Sequence, residues 1–324
     1  FNGASLTTAN ANTILGKGIG KLITTGSGNL LAGVGSSAAL TTGNYNTFLG
    51  EENSLSCTTG SENVAIGYYS NSTNAGSGLT TGSQNTYIGS RAAGANGTQS
   101  NAVSVGCSAK AGGSSVAIGI SANCTGTYSV AIGASVGGLS SDSESVRIGR
   151  LAGTPGGGFS GNIAGGSRSV CIGAYTSGAL QATSYQNNDD CIYLGYAAGS
   201  WSMNKTNEFF LDNQSRGSYA NQQTKSLLYG TFNATASSQT LAINAAVSIP
   251  YNLSLATGLK VTANADPGAQ TDSIAIGAKD ATSANRTVHL RTEEAVASNV
   301  AAASTHSLNV WINNVEYKIM LVAV

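Results

Sequence analysis

The chain has 324 residues, of which 43 are glycine, 3 are proline and 9% are charged, and its 15 basic and 15 acidic residues cancel. Without a basic surplus or a run of Lys and Arg, nothing attracts a phosphate backbone, which argues against nucleic acid as a partner. The apolar runs, such as residues 319–324, are far shorter than the roughly 20 residues of a membrane-spanning helix, which argues against a helical span.

Apolar residues make up 41% of the chain and fall at regular places, which favours a folded core over a disordered Gly/Ser linker. The chain begins at Phe1 rather than Met, so we expect a processed product or part of a longer polypeptide. The cysteines are odd in number and have no CxxC spacing, which argues against a disulfide framework or a zinc site. They are expected to be small, buried or half-buried apolar residues: Cys57, Cys107, Cys124, Cys171 and Cys191.

A pentapeptide repeat is the main signal in the sequence. Its copies read NTILG, NTFLG, NVAIG, NTYIG, AVSVG, SVAIG (twice), SVRIG, SVCIG and CIYLG, with a degenerate NLLAG after the first. Successive glycines are separated by irregular intervals of about 13 to 24 residues, which is typical of the coils of a β-solenoid. The repeat glycines of the intact copies are Gly16, Gly50, Gly67, Gly89, Gly106, Gly119, Gly133, Gly149, Gly173 and Gly195.

Each copy predicts a short strand that ends at its glycine. The residue before the glycine is Leu, Ile or Val, and the residue two positions earlier is Val, Thr or Ile, so these two positions are expected to form one buried face. The position between them varies from Ala117 to Arg147. The glycine is expected at a corner, where the backbone needs a positive φ or a close approach that a Cβ would obstruct.

The segments between copies, such as LTTG, GSGN and GSEN, carry turn residues, so each coil is predicted as strand, corner, return strand and corner. Stacked at about 4.8 Å, roughly ten coils would make a rod on the order of 50 Å long. A coil this thin buries little apolar surface, and oligomerisation would supply the missing core.

The copies SVAIG at 115–119 and 129–133 resemble the head repeats of trimeric autotransporter adhesins, and GNYNTFLG and GSENVAIG resemble repeats of phage tail fibres and other virion fibres. The resemblance covers about residues 12–200 and implies an intertwined homotrimer with a left-handed parallel β-roll. The predicted fold class is therefore all-β, a repetitive parallel β-roll or β-solenoid in a homotrimeric fibre, with a β-rich C-terminal region. We expect a repeat shaft or head over residues 1–200 and a tip or trimer-locking region over 201–324.

Beyond residue 200 the strings NEFFLDN, SLLYGTF and QTLAINAAVSI resemble the shaft-to-tip segments of tail fibres. SIAIG at 273–277 is one further copy of the repeat. The chain ends in a predicted β-hairpin that turns at Asn313 and Asn314. The heptad stalk and membrane barrel of an autotransporter do not follow, which favours a virion fibre.

Catalytic chemistry has weak candidates. The acidic pairs Glu51/Glu52, Asp189/Asp190 and Asp142/Glu144 could form a glycosidase dyad, but no aromatic subsite accompanies them and solvated loops explain them better. The histidines, His289 and His306, have no nucleophile motif nearby. The sequence predicts no enzyme, no metal site and no cofactor.

Binding of carbohydrate is a better candidate, because it uses aromatic faces together with amide and hydroxyl groups on exposed loops. Three long coils carry insertions, at 68–84, 150–168 and 174–190. The alternative is that their aromatic residues cap the core of the rod. The predicted glycan contacts are Tyr68, Tyr69, Phe159, Tyr175 and Tyr185.

We therefore expect a virion or extracellular, cell-surface protein that binds a surface glycan or protein receptor, most simply a segment of a phage or virion tail fibre. Three alternatives stay open: a bacterial trimeric adhesin head, a structural filament whose copies join end to end, and a polysaccharide depolymerase. The expected partners are copies of the chain itself and the receptor.

Overall fold

A computed structural model describes residues 5–71, 80–137, 143–154, 166–176, 188–202, 205–245 and 247, and the backbone of 307–312 and 315–320. The chain divides into two compact units, residues 1–250 and 251–324. In the first unit the strands of the repeats are β1 (Thr13–Lys17), β2 (Leu30–Val34), β3 (Thr47–Leu49), β4 (Val64–Ile66), β5 (Thr86–Ile88), β6 (Ala93–Gly94), β7 (Val103–Val105), β8 (Lys110–Ala111), β9 (Val116–Ile118), β10 (Asn123–Cys124), β11 (Val130–Ile132), β12 (Val146–Ile148), β13 (Val170–Ile172) and β14 (Ile192–Leu194).

The unit continues with β15 (Glu208–Leu211), helix α1 (Tyr219–Lys225), β16 (Leu228–Thr231), a 3₁₀ turn (Ala236–Ser238) and β17 (Thr240–Ile243). The described part of the second unit is an antiparallel hairpin of β18 (Ser307–Ile312) and β19 (Val315–Met320). Its pairing of Ile312 with Val315 brackets positions 313 and 314, so the predicted hairpin is confirmed.

The repeats form a parallel β-solenoid, as predicted. Every pentapeptide strand pairs in parallel and in register with the strand of the next coil, in the order β1-β2-β3-β4-β5-β7-β9-β11-β12-β13-β14-β15. The short strands β6, β8 and β10 pair in parallel as a second sheet on the return side of three coils. After β15 the pairing turns antiparallel through β16 and β17.

The inward-facing position of each strand differs from the sequence-based expectation. The variable middle residue is the buried one: Phe48, Ala65, Tyr87 and Ala117 are all fully buried. The Val and Ile residues on either side are only half-buried or exposed. The expectation that these flanking residues form the buried face is therefore wrong for the single chain, because the inside of so narrow a coil has room for one side chain per strand.

Short coils hold a small inward residue, whereas longer coils hold either a large one or, as at Ala65 in a coil of 22 residues, a small one. Phe48 and Tyr87 lie in coils in which equivalent ladder positions are 17 residues apart. The Tyr87 hydroxyl accepts a hydrogen bond from Gln99 at 3.1 Å inside its coil. Ala117 lies in a shorter coil, in which equivalent positions are 14 residues apart. A narrow coil accommodates alanine and would be overpacked by a larger side chain, which explains the variability of the middle position.

A ladder of buried side chains joins the coils at the position immediately before each strand. Asn29, Asn46, Asn63 and Asn85 each donate from the backbone and the side-chain amide to the Oδ1 of the asparagine one coil earlier, at 2.9–3.1 Å. From Ser115 onward serine hydroxyls take over, with Ser115 Oγ donating to Gly126 and accepting from the Ser129 amide. The Asn and Ser side chains of this ladder therefore supply hydrogen-bond partners for buried backbone N–H and C=O groups.

A second ladder runs along the threonines of the ITTG, LTTG and CTTG turns. The hydroxyls of Thr24, Thr41 and Thr58 donate to the carbonyl oxygen of the threonine one coil later, at 3.4, 3.1 and 3.0 Å. Polar residues thus bond coil to coil at the surface as well as in the interior.

The ten repeat glycines of the intact copies all have a positive φ, between +107° and +140°. Their predicted role at the corners is confirmed. The same glycines leave room for the neighbouring backbone, because an added Cβ would lie within 2.7 Å of the carbonyl oxygen one coil on.

The C-terminal end of the first unit buries a carboxyl group. Glu208 at the start of β15 is 3% exposed and accepts hydrogen bonds from the hydroxyls of Tyr219 and Tyr193. Burial raises its pKa. The predicted boundary at residue 200 stays a prediction; the parallel pairing continues beyond it to β15, and the compact unit extends to residue 250.

The cysteines are all free; four are buried as expected, but the expectation is wrong for Cys107, which is exposed. Burial raises the pKa of the Cys57 thiol to about 12, so it cannot readily form the reactive thiolate. We expect one thiol per folded chain to react with an aromatic disulfide reagent at neutral pH, and five after denaturation. A Cys107→Ser variant should lose the fast thiol, and persistence of that reaction would contradict the placement of the other four.

Candidate functional site

One corner of the solenoid carries four tyrosines, Tyr68, Tyr69, Tyr175 and Tyr196. It consists of the residues one and two positions after each repeat glycine, from Glu51 and Glu52 to Tyr196 and Ala197, and is called the aromatic corner below. Its backbone amides donate coil to coil, for example Arg91 to Tyr68 at 3.0 Å and Tyr175 to Arg150 at 3.0 Å. Each coil therefore places these side chains directly beside those of its neighbours, about 4.8 Å apart.

The corner arises from two positive-φ residues in each coil. The repeat glycine is followed, two positions later, by a residue in the left-handed region, such as Tyr69 (φ 52°), Arg91 (φ 57°) or Tyr175 (φ 60°). Left-handed backbone is uncommon for residues other than glycine, and it turns the chain sharply here. Side chains at the corner consequently project from the solenoid.

The first aromatic cluster on this corner contains Tyr68 and Tyr69. Their ring centroids lie 4.4 Å apart in an edge-to-face arrangement, and Tyr68 is 47% exposed. A hydrogen bond to Glu52, one coil earlier, raises the pKa of the Tyr69 hydroxyl to about 12. The cluster is therefore a neutral aromatic surface bordered by the carboxylates of Glu51 and Glu52.

The second aromatic cluster contains Arg150, Tyr175 and Tyr196 from three consecutive coils. The Arg150 guanidinium lies over the Tyr175 ring at 5.3 Å from its centroid, and the Tyr175 and Tyr196 centroids are 5.7 Å apart, edge to face. Tyr196 is 46% exposed. Sequence reasoning missed Arg150 and Tyr196, although aligning the coils on their glycines would have placed both beside Tyr175.

The structure brings part of the predicted glycan site together. Tyr68, Tyr69 and Tyr175 lie on the aromatic corner, with Tyr69 and Tyr175 six coil steps, about 29 Å, apart. Phe159 and Tyr185 lie outside the described residues. The described residues that border the three insertions, including Asn71, Thr154 and Thr176, follow the aromatic corner directly in the chain.

Of the acidic pairs, Glu52, Asp189 and Asp190 make surface contacts. Arg168 forms an ion pair with Asp190 at 2.6 Å. Both residues lie on the other corner of the solenoid, which precedes the strands in the chain. That hydrogen bond lowers the pKa of Asp190. Asp142, His289 and His306 lie outside the described residues, and the described part of the chain holds no group of three His, Cys, Asp or Glu side chains that could bind a metal.

The sheet between the two corners carries an apolar stripe, defined as the first and last residues of β4, β5, β7, β9, β11, β12, β13 and β14. Fifteen of these sixteen residues are Val, Ile or Leu, the exception being Thr86, and none is buried. Ile88, Ile118, Ile148 and Ile172 are 37–41% exposed. Eight strands at about 4.8 Å make the stripe about 34 Å long.

A pocket of about 360 Å³ adjoins the C-terminal end of the stripe. Its apolar walls include Ile192, Phe209, Phe232 and Leu241. Gly230, paired with both Phe209 and Leu241, has no side chain to fill the space between them. The pocket is therefore a gap in the apolar surface at the place where the pairing turns antiparallel.

No protein-family model, curated protein or solved structure matches this chain. Among the described residues, no helix is long and apolar enough to cross a membrane.

Proposed function

We propose that this chain is a non-enzymatic fibre protein of a virion or cell surface, most simply a segment of a phage or virion tail fibre, which attaches to a host surface as a homotrimer. The apolar stripe is the observation that carries the proposal. Along eight coils, two rows of Val, Ile and Leu are interrupted only by Thr86, and this is more apolar surface than a single soluble chain usually leaves uncovered.

A second copy of the chain is the occupant that fits the stripe best. The rows repeat at the coil spacing, so a covering surface needs apolar side chains with the same axial repeat. Another copy supplies that repeat in register along the whole length. The resemblance of the SVAIG and NTFLG copies to trimeric adhesin and fibre repeats supports three copies, whose stripes would meet around a common axis.

Attachment would use the aromatic corner, which flanks the stripe and lies at the rim of such an interface. Tyr68 and Tyr69 at one height and Tyr175 and Tyr196 at another offer exposed aromatic faces of the kind that sugars bind. Three copies present each of these sites three times, and simultaneous weak binding raises the avidity for a surface that displays many receptors.

The exposed ends of the first unit support a second candidate, a structural filament. Leu15 in β1 is 71% exposed, and Leu241 and Ile243 in β17 are 62% and 47% exposed. Among the described residues both are edge strands of the sheet, a position that favours strand addition. A bacterial adhesin head remains the neighbouring alternative, because it would share the trimer and the corner.

The mass of the chain in solution tests the proposal. We expect three chains by light scattering, and a shift to monomers for Ile118→Glu, which places a charge in the stripe. Ser121→Glu is the matched control: it adds the same charge to the aromatic corner, where Glu52 occupies the equivalent position, and should leave the mass unchanged.

A monomeric wild-type chain would contradict the trimer. Long polymers in negative-stain images would favour the filament. Ile118→Glu with an unchanged trimer mass would show that the stripe is not the interface.

A further inference from the structure

We propose that Arg150, Tyr175 and Tyr196 form a binding site for an acidic saccharide, with its carboxylate or phosphate held by Arg150 and its sugar ring packed on the tyrosines. The inference rests on the proposed attachment function and names the ligand class of one of its two aromatic clusters.

The arrangement of the three side chains fits such a ligand. Two coil steps separate Arg150 from Tyr196, so the cluster extends over about 10 Å of the corner. Arg150 is exposed, Tyr175 half-buried and Tyr196 exposed. An arginine stacked on a ring still has the N–H groups along its edge available, and these form paired hydrogen bonds with planar or tetrahedral anions.

The local charge also favours an anion. Residues 145–188 contain three arginines and no Asp or Glu. The insertion at 150–168 therefore has no carboxylate, and the insertion at 174–190 has none before Asp189. Arg147 is 3% exposed inside the coil, and Arg168 pairs with Asp190 on the other corner. Arg150 makes no ion pair with any residue that the structure describes, and its charge is available to a ligand.

The first cluster provides an internal comparison. Tyr68 and Tyr69 lie beside Glu51 and Glu52, and the hydrogen bond with Glu52 holds the Tyr69 hydroxyl in its neutral form. Carboxylates at this end of the corner repel an acidic sugar. The two clusters should therefore differ in ligand charge although both present paired tyrosines.

Binding to matched saccharides tests the inference with the intact oligomer. The probes are sialyllactose against lactose, and phosphorylated mannose against mannose. We expect about tenfold tighter binding of at least one acidic member than of its neutral counterpart, the gain of a hydrogen-bonded charge pair. This preference should weaken as salt is raised. The two pairs distinguish a carboxylate from a phosphate ligand.

Variants locate the site. Arg150→Gln should remove the acidic preference, Arg150→Lys should keep part of it, and Tyr196→Ala should weaken binding of the acidic saccharide several-fold. Arg168→Gln, which removes an arginine from the other corner, is the control and should keep the wild-type preference.

Three results would overturn the inference. Binding of neutral saccharides without an acidic preference, or an acidic preference that survives Arg150→Gln, would refute this site while the proposed attachment function stands. Failure to bind any saccharide would refute the site and the glycan-binding role together, whereas the oligomer is tested separately by its mass.

Discussion

Replacement of Asn46 by alanine is expected to lower the free energy of unfolding by about 3–5 kcal/mol, because it removes one rung of the buried asparagine ladder. The Asn46 amide donates to Asn29 Oδ1 at 3.0 Å and to the Gly60 carbonyl at 2.9 Å. Its own Oδ1 accepts from the backbone and side-chain amides of Asn63, at 3.0 and 3.1 Å. Alanine leaves the Asn63 donors and the Gly60 acceptor buried without these partners.

Denaturant-induced unfolding at one fixed protein concentration measures the effect. Asn46→Ser is the matched control, since the later coils use serine at this position and its hydroxyl both donates and accepts there. Serine should recover about half of the lost stability. Equal stability of the alanine variant and the wild type would show that the ladder contributes little.

Replacement of Gly119 by alanine should destabilise the solenoid by at least about 3 kcal/mol, through two separate effects. Gly119 has a φ of +132°, which residues with a Cβ rarely adopt. An added Cβ would also lie 2.2 Å from the carbonyl oxygen of Gly133, so adjacent coils would have to separate. Backbone atoms cannot move aside as a flexible side chain could.

Two other glycines separate the effects. Gly217 has a φ of +75° with nothing near the added Cβ, so Gly217→Ala tests strain alone and should cost about 1–2 kcal/mol. Gly113 has no positive φ, and its nearest contact is at 3.6 Å, so Gly113→Ala should be close to neutral. The prediction fails if Gly119→Ala is no worse than Gly217→Ala in the same unfolding experiment.

The repeat architecture could be predicted because its signals are local. The glycine at the end of each pentapeptide readily adopts the positive φ that a corner needs, and the spacing of these glycines gives the coil length. The hairpin of β18 and β19 was predictable for the same reason, from two β-rich arms around Asn313 and Asn314.

The glycan site could be predicted only in part. Tyr68 and Tyr69 are neighbours in the chain, so their contact was within reach of the sequence. The contact of Tyr175 with Tyr196 depends on the register of two coils whose equivalent positions are 22 residues apart, because an insertion lies between them. Because the insertions differ in length, the pairing of Tyr175 with Tyr196 can be read from the sequence only after the coils are aligned on their repeat glycines.

The order of the amino acids is enough to predict that the chain stacks short strands between glycine corners, because glycine readily adopts the positive φ that these corners need. The side of each strand that faces inward follows from the closed coil and not from the strand alone. Alternation places Ala117 on one side and Val116 and Ile118 on the other in either case. The coil is too narrow to hold two large side chains from one strand, so Ala117 faces inward when the coil closes. Val116 and Ile118 then lie on the apolar stripe.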